Sequence, residues 1–210
     1  MKSNKLLAGA LSAAMVLGTV TLPAFADGAK WADSADTDWY TGTESVYTLS
    51  AAEELAGLAA LVKQGNTFAN TTIKLGGDID LESKEWSPIG VSGKSFQGTF
   101  DGDGSTISNL SITGSGSDVG LFGFTTNGEI KNFSLENASV SGYLDVGAVA
   151  GTPYTSKYTD ITVKGLVKID GFAYVGGAFG KNGYANLTNV DVIGNSGSYV
   201  KADSQDYRTY

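Results

Sequence analysis

The stretch Ile130-Lys-Asn-Phe-Ser-Leu135 is one copy of a six-residue pattern that recurs along the chain. The pattern reads apolar, polar, Asn or Asp, apolar, polar, apolar. Its other copies are Ile107–Ile112, Tyr158–Val163 and Leu187–Val192. The four copies begin 23, 28 and 29 residues apart. A nearly constant period of this length is typical of proteins built from stacked repeats.

A second motif precedes three of these copies and ends in glycine at Gly123, Gly151 and Gly180. The glycines lie 28 and 29 residues apart, so this motif has the same period as the first. We interpret it as a further short strand in each repeat, with the glycines supplying permissive corners.

The third residue of the six-residue pattern interrupts the apolar and polar alternation, which predicts a bend between two extended pieces. The four bend residues are Asn109, Asn132, Asp160 and Asn189. Asn and Asp tolerate the left-handed backbone conformation that such a bend requires. We therefore expect these residues to stand in one column, with their side chains hydrogen-bonded along the repeat axis.

Each period is too short for a strand, a helix and a second strand. Two or three strands of about five residues with their corners fill it. The sequence therefore predicts an all-β protein, a right-handed parallel β-helix or solenoid, whose turns stack at about 4.8 Å. An ordinary β-sandwich with coincidental glycines is the alternative.

The segment 50–65 is predicted to be an amphipathic helix that caps the N-terminal end of this solenoid. Ser50 is a suitable N-cap, with Glu53 three residues later to complete a capping box. Leu55 and Leu58 belong to an apolar stripe that would cover the first turn. A helix that binds a partner is the alternative interpretation.

The composition excludes several classes of site. The 210 residues include no Cys and no His, and the formal net charge is −8. A nucleophilic triad built on His or Cys is therefore excluded. An acidic chain binds nucleic acid and anionic membranes poorly, so neither is expected as a partner. No motif indicates a cofactor.

The first 26 residues have the pattern of a secretory signal peptide. Lys2 and Lys5 precede an apolar stretch, and Ala24-Phe-Ala26 is a small-x-small cleavage site. Cleavage would leave an exported chain without a membrane span. We divide the rest into an N-terminal strap (27–49), the capping helix (50–65), the β-helix (66–199) and a polar tail or start of a further turn (200–210).

Two groups of residues are candidates for a binding site. Trp31, Trp39 and Tyr40 could stack on a sugar, or else cover the end of the core. Asp78, Asp80, Asp101 and Asp103 could bind calcium or hydrolyse a glycosidic bond. Asp-Gly steps are also ordinary turn residues, and the spacing of a calcium-binding hand loop is absent. No residue is assigned a catalytic role.

The chain resembles bacterial surface proteins that carry the GLUG motif. The resemblance rests on residues 48–65, 72–81, 85–90, 96–112 and 119–123 in this order, and covers Tyr47 to Ser198. Gly120-Leu-Phe-Gly123 and Gly177-Ala-Phe-Gly180 match the motif, whereas Val146–Gly151 has Ala before its last Gly. The resemblance implies a right-handed β-helix in an exported, adhesin-like bacterial protein.

These observations favour a non-enzymatic, secreted or cell-surface module that binds an extracellular glycan, protein or matrix. A carbohydrate-active enzyme, an accessory region of a larger surface protein and a structural spacer are the alternatives. Residues 199–210 contain no helix that could close the far end of the solenoid. We therefore expect either end-to-end association or continuation into further repeats.

Overall fold

The computed structural model describes residues 29–203. They form a parallel β-solenoid of about six turns with one short α-helix, which confirms the predicted fold class. The right-handed winding remains a prediction. The proposed signal peptide (1–26) and most of the polar tail lie outside the described residues.

Most strands belong to one large sheet that runs along the solenoid, and every strand pair in it is parallel. Its strands are β1 (Val46–Leu49), β2 (Thr72–Leu75), β3 (Ile79–Asp80), β4 (Thr99–Asp101), β5 (Thr106–Ser108), β6 (Ser111–Ile112), β9 (Glu129–Ser141), β12 (Lys157–Gly171), β14 (Asn186–Gly194) and β15 (Tyr199–Ala202).

Two smaller parallel sheets complete the turns. The first contains β7 (Ser117–Val119), β10 (Leu144–Gly147) and β13 (Ala173–Gly176). The second pairs β8 (Phe122–Thr126) with β11 (Ala150–Tyr154). A short 3-10 helix, Trp31–Ser34, precedes β1.

Inward-facing side chains of successive turns lie directly above one another and form the core. The longest column follows the large sheet from its first turn to its last. Its members are Tyr47, Ile73, Phe100, Ile130, Tyr158 and Leu187. All but the last are 0–6% exposed. The buried phenol of Tyr158 is satisfied by Thr125, with 2.9 Å between the two hydroxyl oxygens.

The first copy of the six-residue pattern is out of register with the others. Ile107 lies opposite Leu135, which ends the second copy, and not opposite Ile130, which begins it. This offset of five residues explains why the first spacing is 23 and not 28. Asn109 therefore does not share a column with Asn132 and Asn189, and that prediction is wrong.

The bends form separate columns, each at positive φ. Asn132, Asp160 and Asn189 make one column, with φ of 58°, 54° and 51°. Asn109 and Asn137 make another, both at 57°.

Amide-to-carboxylate hydrogen bonds join successive turns at these bends. Asn132 donates to Asp101 (3.0 Å), Asn189 to Asp160 (2.8 Å) and Asn109 to Asp80 (2.8 Å). The bonds run from Asn to Asp, and not from Asn to Asn as a stack of identical side chains would require.

The three glycines that end the glycine motif are needed for a different reason from the one predicted. Gly123, Gly151 and Gly180 lie in register, but none has positive φ, so they are not permissive corners. A Cβ on Gly151 would meet the backbone of Asp118 and Val119, and one on Gly180 would meet the backbone of Asp145. Glycine is required because two strands approach closely at these positions.

The helix α1 (Ala52–Gln64) covers the N-terminal end of the core. Leu55 and Leu58 are fully buried in the same cluster as Leu49 and Ile73. Gly65 ends the helix at φ 110°, in the left-handed region.

The predicted cap of this helix is wrong by one residue. The N-cap is Ala51 and not Ser50, and its methyl group cannot accept a hydrogen bond. Glu54, in place of Glu53, accepts the backbone N–H groups of Ser50 (2.6 Å) and Ala51 (3.1 Å). Only the carboxylate half of a capping box is therefore present.

Replacing Gly151 with Ala tests the close approach of strands. We expect Gly151→Ala to lower the free energy of unfolding by about 1–3 kcal/mol, because the new methyl group meets backbone that cannot move aside. Gly77→Ala is the matched control, since nothing lies within 4 Å of its Cβ position. Equal midpoints of urea unfolding for both variants would contradict the assignment.

Replacing Leu55 tests the helix as a cover of the core. Leu55→Ala removes a fully buried side chain, so we expect a loss of about 2–5 kcal/mol in urea unfolding. Leu55→Asp should cost more because it buries a carboxylate. Exposed Glu53 is the control, and Glu53→Ala should change stability by less than about 0.5 kcal/mol. A native midpoint for Leu55→Asp would show that the helix is not part of the core.

Candidate functional site

The N-terminal aromatic residues pack against the protein and do not form an open platform. Trp31 is 2% exposed and its Nε1 donates to the carbonyl oxygen of Leu81 at 2.8 Å. Trp39 and Tyr40 are half-buried and pack on Tyr47 and Phe68. The alternative interpretation, a cover over the end of the core, therefore describes this group.

Each of the four aspartates proposed as calcium ligands instead bonds to a backbone N–H group or to a side chain of a neighbouring turn. Asp78 accepts the N–H of Thr106 at 2.7 Å, and Asp103 forms an ion pair with Lys74 at 3.4 Å. Asp80 and Asp101 accept the bend amides described above. Within residues 29–203, no group of three or more Asp, Glu, His or Cys side chains could hold a metal ion.

A third bend column escaped the sequence interpretation. Asp118, Asp145 and Tyr174 occupy equivalent positions in successive turns, with φ of 58°, 56° and 54°. Each stands directly before a Val-Gly pair in the glycine motif. That shared offset was the signal that could have identified this column.

Asp145 lies in an unfavourable environment for a charged group. Burial raises the pKa of the Asp145 carboxyl above its ordinary value, and the neighbouring Asp118 raises it further, while Lys181 opposes both. Its Oδ1 atom is buried and has no hydrogen-bond partner among the described residues. Asp118, by contrast, accepts a hydrogen bond of 2.6 Å from the Thr152 hydroxyl.

One half-buried and two exposed aromatic side chains form a row along the sheet made by β8 and β11. We call Phe124, Tyr154 and Tyr184 the aromatic row. The Phe124 and Tyr154 rings are stacked at 6.4 Å, and Tyr184 meets Tyr154 edge-on at 6.2 Å with an interplanar angle of 80°. Tyr184 is 84% exposed, so most of its ring area is free to contact a ligand.

A second exposed aromatic pair leaves less of its ring faces free. Tyr143 and Phe172 stack nearly parallel, with ring centroids 5.0 Å apart and an angle of 16°. Each ring covers a face of the other, although both side chains are exposed. The pair therefore offers less free ring face than the aromatic row does.

Polar groups border the aromatic row. Thr152 lies opposite Phe124 in the register of β8 and β11, which places the pair of Asp118 and Thr152 beside the row. Lys181 follows on the next turn, with its ammonium nitrogen 5.4 Å from the ring centre of Tyr174. Aromatic surface bordered by a few hydrogen-bonding groups is the usual composition of a ligand site.

Comparison with known proteins identifies one relevant relative. The chain is similar to halomucin of the archaeon Haloquadratum walsbyi, with 40% identity over 158 residues. The aligned part covers 67% of this chain but only 2% of halomucin. No protein-family model matches the chain, and no solved structure matches it.

The similarity to halomucin and the stacked turns are compatible with a repeat module of a cell-surface protein. In residues 29–203, no helix has the length and apolar character needed to cross a membrane.

The pKa of Asp145 predicts a pH-dependent stability. Because the folded state raises this pKa, ionisation costs more in the folded than in the unfolded chain. The cost is absent below the ordinary carboxyl pKa of about 3.9 and appears as pH rises through the folded pKa. We therefore expect Asp145→Asn to raise the thermal midpoint at pH 7, by an amount that shrinks as pH falls towards about 4.

Asp191→Asn is the control, because it removes the same charge from an exposed side chain. The test is to measure the thermal midpoints of both variants and of the unchanged protein between about pH 4 and pH 7. A midpoint for Asp145→Asn that stays at or below that of the unchanged protein at pH 7 would contradict the argument.

Proposed function

We propose that this chain is an exported, non-enzymatic and adhesin-like surface module that binds an extracellular polysaccharide on its aromatic row. The observation that carries the proposal is the 84% exposed ring of Tyr184, held next to Tyr154 on successive turns of the solenoid. Proteins or matrix components that carry such glycans are partners of the same kind.

The chemistry of a sugar ring suits such a surface. One face of a pyranose carries C–H groups and packs against an aromatic ring, while its hydroxyl groups need hydrogen-bond partners. Tyr supplies both a large apolar ring and a hydroxyl group. The carboxylate of Asp118, hydrogen-bonded to Thr152 next to the row, adds an acceptor.

The solenoid lowers the cost of binding because it orders the rings in advance. Tyr154 ends β11, whose backbone pairs with β8 below it and with Phe179 above. A ligand that contacts rings on two turns therefore orders little of the chain, which favours affinity. A repeating polysaccharide can in addition contact several turns at once.

Three features favour a location outside the cell. The N-terminal pattern favours export, the GLUG resemblance favours a bacterial surface protein, and the similarity to halomucin favours a module within a large surface protein. On this basis we place the protein outside the cell, either at the surface or released.

Binding to a panel of polysaccharides, measured by affinity electrophoresis or calorimetry, tests the proposal. We expect Tyr184→Ala to weaken binding at least about fivefold, equivalent to about 1 kcal/mol. Tyr154→Ala should weaken it as well. Tyr143→Ala is the matched control for Tyr154→Ala, since Tyr143 is about as exposed as Tyr154 (46% and 42%) but belongs to the stacked pair with Phe172. Equal affinity for all three variants, or no binding by the unchanged protein, would contradict the proposal.

A carbohydrate-active enzyme is the second candidate, and one observation favours it. Asp145, with its raised pKa, and Asp118 are neighbouring carboxyl groups on successive turns. Two neighbouring carboxyl groups, one of them with a raised pKa, form an arrangement of the kind that glycoside hydrolysis uses. Release of reducing ends from a bound polysaccharide, abolished in Asp145→Asn, would favour this function over simple binding.

A further inference from the structure

A groove with a volume of about 440 Å³ lies between helix α1 and the loop 86–94. No residue of the aromatic row lines it. Apolar side chains form most of its wall, namely Trp31, Ala32, Ala56, Ala59, Trp86 and Pro88. A cavity of this size and composition is suited to a small organic ligand.

The two tryptophans give this groove an apolar wall because their N–H groups are already used. Trp31 Nε1 donates to the carbonyl oxygen of Leu81 at 2.8 Å, and Trp86 Nε1 donates to that of Leu121 at 3.1 Å. Each tryptophan is only 2% exposed, and the Lys84 ammonium nitrogen lies 4.2 Å from the ring centre of Trp31. The indoles therefore offer neither a hydrogen bond nor an open ring face, which favours an aliphatic chain over a sugar or a flat aromatic ring.

Positive charge is concentrated at one end of the groove. Ala56 and Lys63 both line it and are seven positions apart on α1, which corresponds to a rise of about 10 Å. Lys94 meets the helix at the same end as Lys63, since its Nζ donates to the carbonyl oxygen of Lys63 at 2.6 Å. The groove is thus a slot with an apolar end beside Ala56 and a cationic end beside the two lysines.

Both of these ammonium groups can bind an anion. Within residues 29–203, neither Lys63 nor Lys94 forms an ion pair with a carboxylate, although the formal net charge of the chain is −8. An ammonium group has three N–H donors, and the bond to the helix uses one of those on Lys94. Carbonyl oxygens at the end of the helix would repel an anion, but Lys94, Gly65 and Asn66 donate hydrogen bonds to them.

We propose that this groove binds a medium-chain aliphatic carboxylate. Its hydrocarbon chain would lie against the alanines of α1 and the two tryptophans, where burial of apolar surface stabilises the complex. Its carboxylate would lie between Lys63 and Lys94, which otherwise have no anionic partner in the described part of the chain. The groove shares no residue with the aromatic row, so the proposal is independent of glycan binding.

Calorimetry and tryptophan emission with octanoate test the proposal. We expect saturable binding that changes the emission spectrum, because Trp31 and Trp86 line the groove. Octanol has the same chain without the charge and should bind about fivefold more weakly, which is the upper range for an exposed ammonium–carboxylate pair. Octylamine should not bind, since its ammonium group would meet two others.

Two variants locate the ligand at the two parts of the groove. Lys63→Gln should weaken octanoate binding about threefold and leave octanol binding unchanged. Lys157→Gln is its matched control, because it removes the same charge from an exposed lysine on β12. Ala60→Phe places a ring in the groove from a half-buried position and should weaken octanoate binding at least tenfold. Tyr184→Ala should leave octanoate binding unchanged, which separates this site from the aromatic row.

Three results would overturn the proposal. They are equal affinity for octanol and octanoate, unchanged octanoate binding in Lys63→Gln or in Ala60→Phe, and no saturable binding at millimolar octanoate. The last result is also the one expected if another part of the chain or a second copy of it covers the groove. Should Ala60→Phe disturb folding, Lys63→Gln still tests the site, because Lys63 is exposed.

Discussion

Parallel strand pairing between successive turns, with a step of 26 to 31 residues, is the constraint on which the rest of the structure depends. It places Ile107, Leu135, Val163 and Val192 above one another, and each buried side chain packs on the one from the turn below. The apolar columns supply the hydrophobic stabilisation, and the backbone ladder satisfies the polar groups of the chain in the same step. A substitution in one turn therefore affects the packing of the two adjacent turns.

The same repetition that builds the core also builds the outer surface. A side chain that points outward in one turn has a neighbour from the next turn within contact distance. This arrangement places Phe124, Tyr154 and Tyr184 in a row, and it places Asp118 beside Asp145. The row offers ring area to a ligand, whereas burial and the neighbouring Asp118 disfavour the ionised carboxylate of Asp145 and raise its pKa. Such unfavourable groups are often retained where they serve function.

The core at the two ends of the solenoid has to be covered differently from the core in its middle. A turn in the middle is covered by its neighbours, whereas a terminal turn needs a different partner. At the N-terminal end, helix α1 and the rings around Trp39 supply that partner. At the other end of the described residues, Leu187 and Val192 have no equivalent cover. The difference gives the described part of the molecule a direction.

The sequence by itself determined the fold class, the helix and the bends of the six-residue pattern, because these depend on local periodicity and on the backbone preferences of Asn and Asp. It did not reveal the bends at Asp118, Asp145 and Tyr174. It did not determine which copy of the pattern pairs with which. Ile107 pairs five residues away from the expected position, since inter-turn packing and not pattern similarity sets the register. Tertiary structure alone decided that Trp31 is buried, that Gly151 is needed for strand approach and that Tyr184 is exposed. Each of these depends on atoms distant in sequence, and a local pattern carries no information about them.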